Sequence, residues 1–91
     1  MNERVEKIHA LLQAALAPQH LDIQDDSAAH AGHAGALQSG GGHFSVWIVA
    51  DAFTDKSLVQ RHQLVYRALG DLMKTDIHAL MIKAQTPLEF S

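Results

Sequence analysis

The sequence predicts an α+β domain, a three-stranded mixed sheet with helices packed on one face, in the order α-β-β-α(α)-β. Three observations carry this. Apolar residues recur at three-to-four spacing near the N-terminus and again past position 57, the signature of amphipathic helices. Two short stretches between them alternate apolar and polar residues, as half-buried strands do. A helical segment separates the second and third strands, which favours a parallel crossover between them.

The first helix begins after Asn2, whose side-chain oxygen can accept from a free amide of the first turn. Val5, Ile8, Leu11, Leu12, Ala15 and Leu16 form its apolar stripe, and Pro18 ends it at or before Ala17. Alternation over 21–25 gives a short strand. Residues 27–42 follow, sixteen positions of small and polar residues closing on Gly40, Gly41 and Gly42. With no periodicity and few bulky anchors, this stretch is expected to be a mobile loop; loops of this length in a compact domain are usually functional or disordered.

Residues 43–50 form the second strand, with Phe44, Val46 and Ile48 on one face and Ser45, Trp47 and Val49 on the other. A connector rich in capping residues, 51–56, leads into a helix from about Ser57. Leu58, Arg61, His62, Val65, Tyr66, Leu69, Leu72 and Met73 keep helical spacing, and Gly70 is expected to divide the helix in two. The third strand spans 77–84. Pro87 suits the first position of a short terminal turn.

Composition narrows the function. Ninety-one residues give one domain, and ten acidic against seven basic residues leave a charge of −3. A general binder of phosphate backbone needs a basic surplus, and there is none. No apolar run reaches the length of a membrane span, and the mixed-charge N-terminus is unlike a signal or transit peptide, so a cytoplasmic protein is expected. No nucleophile–base pair, phosphate loop or paired-carboxylate arrangement stands out, so no enzyme activity is expected.

The chemistry-bearing residues are seven histidines without a single cysteine. His30 and His33 lie in the run Ala29-His30-Ala31-Gly32-His33-Ala34-Gly35, where small neighbours leave room for a metal to approach. Two histidines at this spacing alone are a weak motif, since zinc sites usually show a fuller ligand set. His78 shares strand parity with Leu80, Ile82 and Ala84, which points it toward the core edge. His62 is read as a packed histidine, and His43 as a loop or hydrogen-bonding residue. His9 and His20 are read as incidental, Arg61 as a surface contact, and Trp47 as sheet packing.

The run Phe53-Thr54-Asp55-Lys56-Ser57-Leu58-Val59-Gln60-Arg61-His62-Gln63-Leu64-Val65-Tyr66 resembles the BolA family. So do Ile77-His78-Ala79-Leu80-Met81-Ile82-Lys83-Ala84, and Asp25-Asp26-Ser27 leading through the histidine-bearing loop to His43-Phe44-Ser45-Val46. The resemblance covers nearly the whole chain and implies a fold similar to the type II KH domain. It further implies a monomer that pairs with a monothiol glutaredoxin. Together with glutathione, that pair would hold a 2Fe–2S cluster in iron–sulfur trafficking or iron regulation. His78 would be one ligand, and the loop would supply the second. With no cysteine available, this chain would fall in the histidine-loop subgroup, with His30 or His33 in that position.

Two other classes are weighed against this one. A KH-like transcriptional regulator would clamp nucleic acid with a Gly-X-X-Gly loop. The helical junction here reads Leu69-Gly70-Asp71-Leu72, with one glycine and an acidic neighbour. Autonomous zinc or nickel binding by the loop histidines is the other.

Overall fold

A computed structural model describes residues 3–26 and 42–91. Helix α1 (Glu3–Leu16) leads into β1 (His20–Asp25), and β2 (Gly42–Val49) follows the β1–β2 connection. A 3-10 turn (Asp51–Phe53) precedes α2 (Leu58–Leu69) and α3 (Leu72–Thr75). Strand β3 (Ile77–Gln85) and a terminal turn of helix, α4 (Pro87–Phe90), complete the order. The α+β class and the mixed three-stranded sheet are as the sequence predicts. The expected loop, with His30 and His33, falls on 27–41 and lies outside the described residues; its last position, Gly42, belongs to β2.

The sheet runs β1-β2-β3, with β1 antiparallel and β3 parallel to the central strand. Phe44, Val46 and Ile48 are buried on the face of β2 that meets the helices. Ile8 and Leu12 from α1, Val65 and Leu69 from α2, Phe53, and Ile77 and Ala84 from β3 close the same core. Burial at period two on the strands and three-to-four on the helices selects which residues enter it. The opposite face, carrying Ser45, Trp47, Met81 and Lys83, lies away from α1 and α2, and Phe90 of α4 packs on it against Trp47.

The helix ends follow local chemistry. Ser57 caps α2 in a reciprocal capping box with Gln60, and Thr86 caps α4 in the same way with Glu89. Gly70 ends α2 at φ 52° and ψ −124°, a conformation that side-chain-bearing residues avoid, so the division expected there is enforced by the backbone.

Arg61 is buried, which corrects its reading as a surface contact. Its Nη1 and Nη2 donate to the Glu89 carboxylate at 2.7 and 3.1 Å. Nη1 also donates to the Ala84 carbonyl at 3.0 Å, and Nε to the Lys56 carbonyl at 3.1 Å. One planar guanidinium thereby joins the start of α2, the end of β3 and α4. A buried arginine survives because four of its five N–H donors are met here.

Hydrogen bonds from Arg61, with further help from the Thr86 backbone, hold the Glu89 carboxyl down from 4.5 to about 2. A carboxylate depressed in the folded state contributes stability that is complete above its unfolded value and is lost as pH falls toward the folded one. The urea midpoint of the native chain is therefore expected to fall from pH 4.5 toward pH 2 more steeply than that of Glu89→Gln. Equal slopes would refute the assignment. Gly70→Ala is expected to lose about 1–3 kcal/mol in the same measurement, the strain of a disallowed backbone.

Candidate functional site

The pairing of β2 with β3 slips by one residue at its start. Gly42 pairs with Ile77 and His43 with Ala79, so His78 is the extra residue on β3 and has no cross-strand partner. Beyond the slip, Leu80, Ile82 and Ala84 lie opposite Phe44, Val46 and Ile48 on the helix side, as their parity requires. His78 does not follow them. The slip removes it from the alternation, and it is exposed instead of facing the core edge.

His78 stands beside His43, the first residue after the slip on β2. Their ring centroids are 5.2 Å apart and the ring planes are inclined at 54°. His43 is half-buried. Strict alternation gave no warning of this pair, because a bulge cannot be read from a periodic pattern.

The pair sits where the β1–β2 connection leaves and rejoins the sheet. The Asp26 amide donates to the His43 carbonyl at 2.7 Å, and the Gly42 amide donates to the Asp76 carbonyl at 3.0 Å. Ser45 Oγ donates to the Asp26 carboxylate, tying the other end of the connection to the same strand. Lys7 of α1 reaches the Asp76 carboxylate at 3.4 Å. That carboxyl lies below the ordinary carboxylate range, chiefly through a hydrogen bond with the Thr75 side chain and further through Lys7.

His30 is four residues beyond Asp26, a reach of at most about 14 Å for an extended chain. The sequence therefore keeps His30 within that distance of Asp26, while His33, seven residues on, has a reach of about 25 Å. Their placement lies outside the described residues.

Two neutral imidazoles suit zinc, copper or iron. A ring nitrogen at about 2.1 Å from a metal puts the ring centroid about 3.2 Å away, so two such ligands at a tetrahedral angle have centroids roughly 5 Å apart. The separation of His43 and His78 fits that value. Among the described residues no three ligands of the His, Cys, Asp or Glu types converge on one point, so the pair is at most half of a coordination shell.

The remaining histidines are elsewhere. His9 is exposed on α1, and His62 is half-buried on α2. His20 is not incidental. It lies edge-on to Trp47 at 4.6 Å and stacks on Phe90 at 5.3 Å, closing an aromatic cluster on the open face. Its Nε2 is buried there without a hydrogen-bond partner. Lys83 Nζ lies 4.5 Å from the Trp47 ring, whose Nε1 donates to Gln85 Oε1 at 2.7 Å.

A family model described as BolA-like protein matches residues 12–89. SufE-like protein 1, chloroplastic/mitochondrial, of Arabidopsis thaliana is 44% identical over 93 residues, covering 98% of this chain and 25% of that protein. The DNA-binding transcriptional regulator BolA of Escherichia coli is 34% identical over 85 residues, covering 93% of this chain and 77% of that one. Among solved structures, the BolA domain of SufE1 from Arabidopsis thaliana superposes with a TM-score of 0.83 at 43% identity, covering 98% of both chains. The chain thus spans about a quarter of the length of the first relative.

Because His78 is exposed and outside the ladder, His78→Ala is expected to change unfolding free energy by less than about 0.5 kcal/mol. A urea titration showing a loss of several times that size would make His78 a structural residue.

Proposed function

The chain belongs to the family of BolA-like proteins, and from that premise we propose that it is a non-enzymatic adaptor. It binds a monothiol glutaredoxin and co-ligates a 2Fe–2S cluster through histidines, in iron–sulfur trafficking or iron regulation. The observation that carries the reading is the exposed His78 beside His43, at a separation that fits two imidazoles on one iron. His78 is the fixed ligand. The second imidazole comes from His43, already beside it, or from His30 or His33 of the connecting segment.

With no cysteine in the chain, all thiolates must come from the partner side, the glutaredoxin cysteine and glutathione. The bound cluster supplies electron storage and transfer, and two histidines on one iron raise its reduction potential relative to four thiolates. The protein's own contribution is positional. The slip in β3 turns His78 outward, and β2 holds His43 at its side. No helix among the described residues is long and apolar enough to cross a membrane, and we place the adaptor in the cytoplasm.

The name of the Escherichia coli relative motivates a second reading, a nucleic-acid-binding regulator. The charge of −3 and the exposed Asp71 beside Gly70 oppose it here.

The test is anaerobic reconstitution of a 2Fe–2S cluster with a monothiol glutaredoxin and glutathione, followed by visible circular dichroism. His78→Ala is expected to abolish the mixed-ligand spectrum while leaving the fold intact. Among His43→Ala, His30→Ala and His33→Ala, the one that reproduces this loss identifies the second ligand. A wild-type spectrum from His78→Ala, or from all three of the others, refutes histidine ligation.

A further inference from the structure

Strand β3 is an edge strand, paired on one side only among the described residues. Its outer edge has a definite hydrogen-bonding polarity. In a parallel ladder, alternate residues direct their main-chain groups to opposite sides. The Gln85 carbonyl accepts from the Ala50 amide, on the side of β2. By alternation, Ala84, Ile82 and Leu80 present their N–H and C=O groups outward. The Ala84 carbonyl agrees, since it is reached from outside by Arg61 Nη1. The guanidinium thus closes the far end of the edge, leaving the groups of Leu80 and Ile82 open.

Natural edge strands are commonly guarded by an outward lysine, a proline or a covering segment. Here the one lysine of β3, Lys83, is folded over the Trp47 ring. The edge instead borders a cavity of about 500 Å³ that spreads across the open face over residues of β1 and β2 and reaches His62 and Tyr66 of α2 beside Leu80, Met81 and Ile82. Met81 is 73% exposed and Tyr66 41%, large side chains that reach solvent on either side of the strand.

The geometry points to the outer edge of β3 as a docking site for an extended peptide segment of a partner protein, added as a fourth strand beside Leu80 and Ile82. Main-chain hydrogen bonds supply affinity in this mode, and pockets for alternate side chains supply selectivity. The segment carries apolar residues at alternate positions. Those facing the helices enter between Tyr66 and His62, and those facing the open side lie against Met81. Unpaired amides and carbonyls in a row specify a strand, not a helix or an unstructured chain. This inference does not depend on cluster ligation, because none of its residues is a proposed ligand.

The test is a titration of the full isotope-labelled chain with a capped eight-residue peptide of alternating valine and threonine, bearing an acidic residue at each end. Expected are amide shifts confined to residues 79–83 and to the His62–Tyr66 turn, and slowed hydrogen exchange at Leu80 and Ile82. A depsipeptide of the same sequence, with the amides that face β3 replaced by esters, is expected to bind roughly ten-fold more weakly. Equal affinity of the depsipeptide would overturn the proposal without any change to the protein. So would three other results: shifts mapping to β1, self-association of the chain through β3 in sedimentation, or the same shifts from a single-stranded oligonucleotide but not the peptide.

Discussion

The parallel pairing of β2 with β3 is the constraint on which the other features depend. Its inward rows, Phe44, Val46 and Ile48 opposite Leu80, Ile82 and Ala84, can be buried only in one register, because a shift of one residue would turn each row to solvent. Helices α1 and α2 then have a defined surface to cover, and the other surface is left to the short α4, whose Phe90 packs on Trp47. The slip at the start of β3 is tolerated because it lies at the end of the ladder, where Ile77 still reaches the core opposite Gly42. Outward histidine and intact core coexist because one residue absorbs the mismatch.

A second constraint acts at the far end of the same strand. Arg61 joins α2, β3 and α4 through bonds to two carbonyls and one carboxylate. A lysine could supply the charge but not the planar fork that meets Ala84 and Glu89 at once. The two ends of β3 are therefore unlike. One is irregular and presents titratable side chains, while the other is locked by a buried cation.

Much of the fold was legible in the sequence because its elements obey single periods. The stripe of α1, the alternation of β2, the glycine break at Gly70 and the Pro87 turn each rest on local chemistry that tertiary contacts do not override. The site was legible only in part. His78 drew attention through its place in a resembling motif, but its parity pointed inward, and only the slip explains why it faces out. His43 reads as a loop or hydrogen-bonding residue because it opens the expected strand, and nothing local to it reports the neighbouring ring of His78. Arg61 and His20 were misread for another reason. Their roles depend on contacts with Glu89, Trp47 and Phe90, residues 27 to 70 positions away, and no local pattern reports such contacts.

The extra residue in β3 also bears on how such a protein can change over generations. Removing the single codon for His78 would leave Ile77 and Ala79 adjacent and opposite Gly42 and His43, so the ladder would run on without interruption. The outward histidine can thus be lost, and by the reverse insertion regained, in one genetic step that keeps Gly42 opposite Ile77 and His43 opposite Ala79. Inheritance of the fold and inheritance of the outward histidine are separable in this architecture. A lineage could keep the scaffold after losing that side chain.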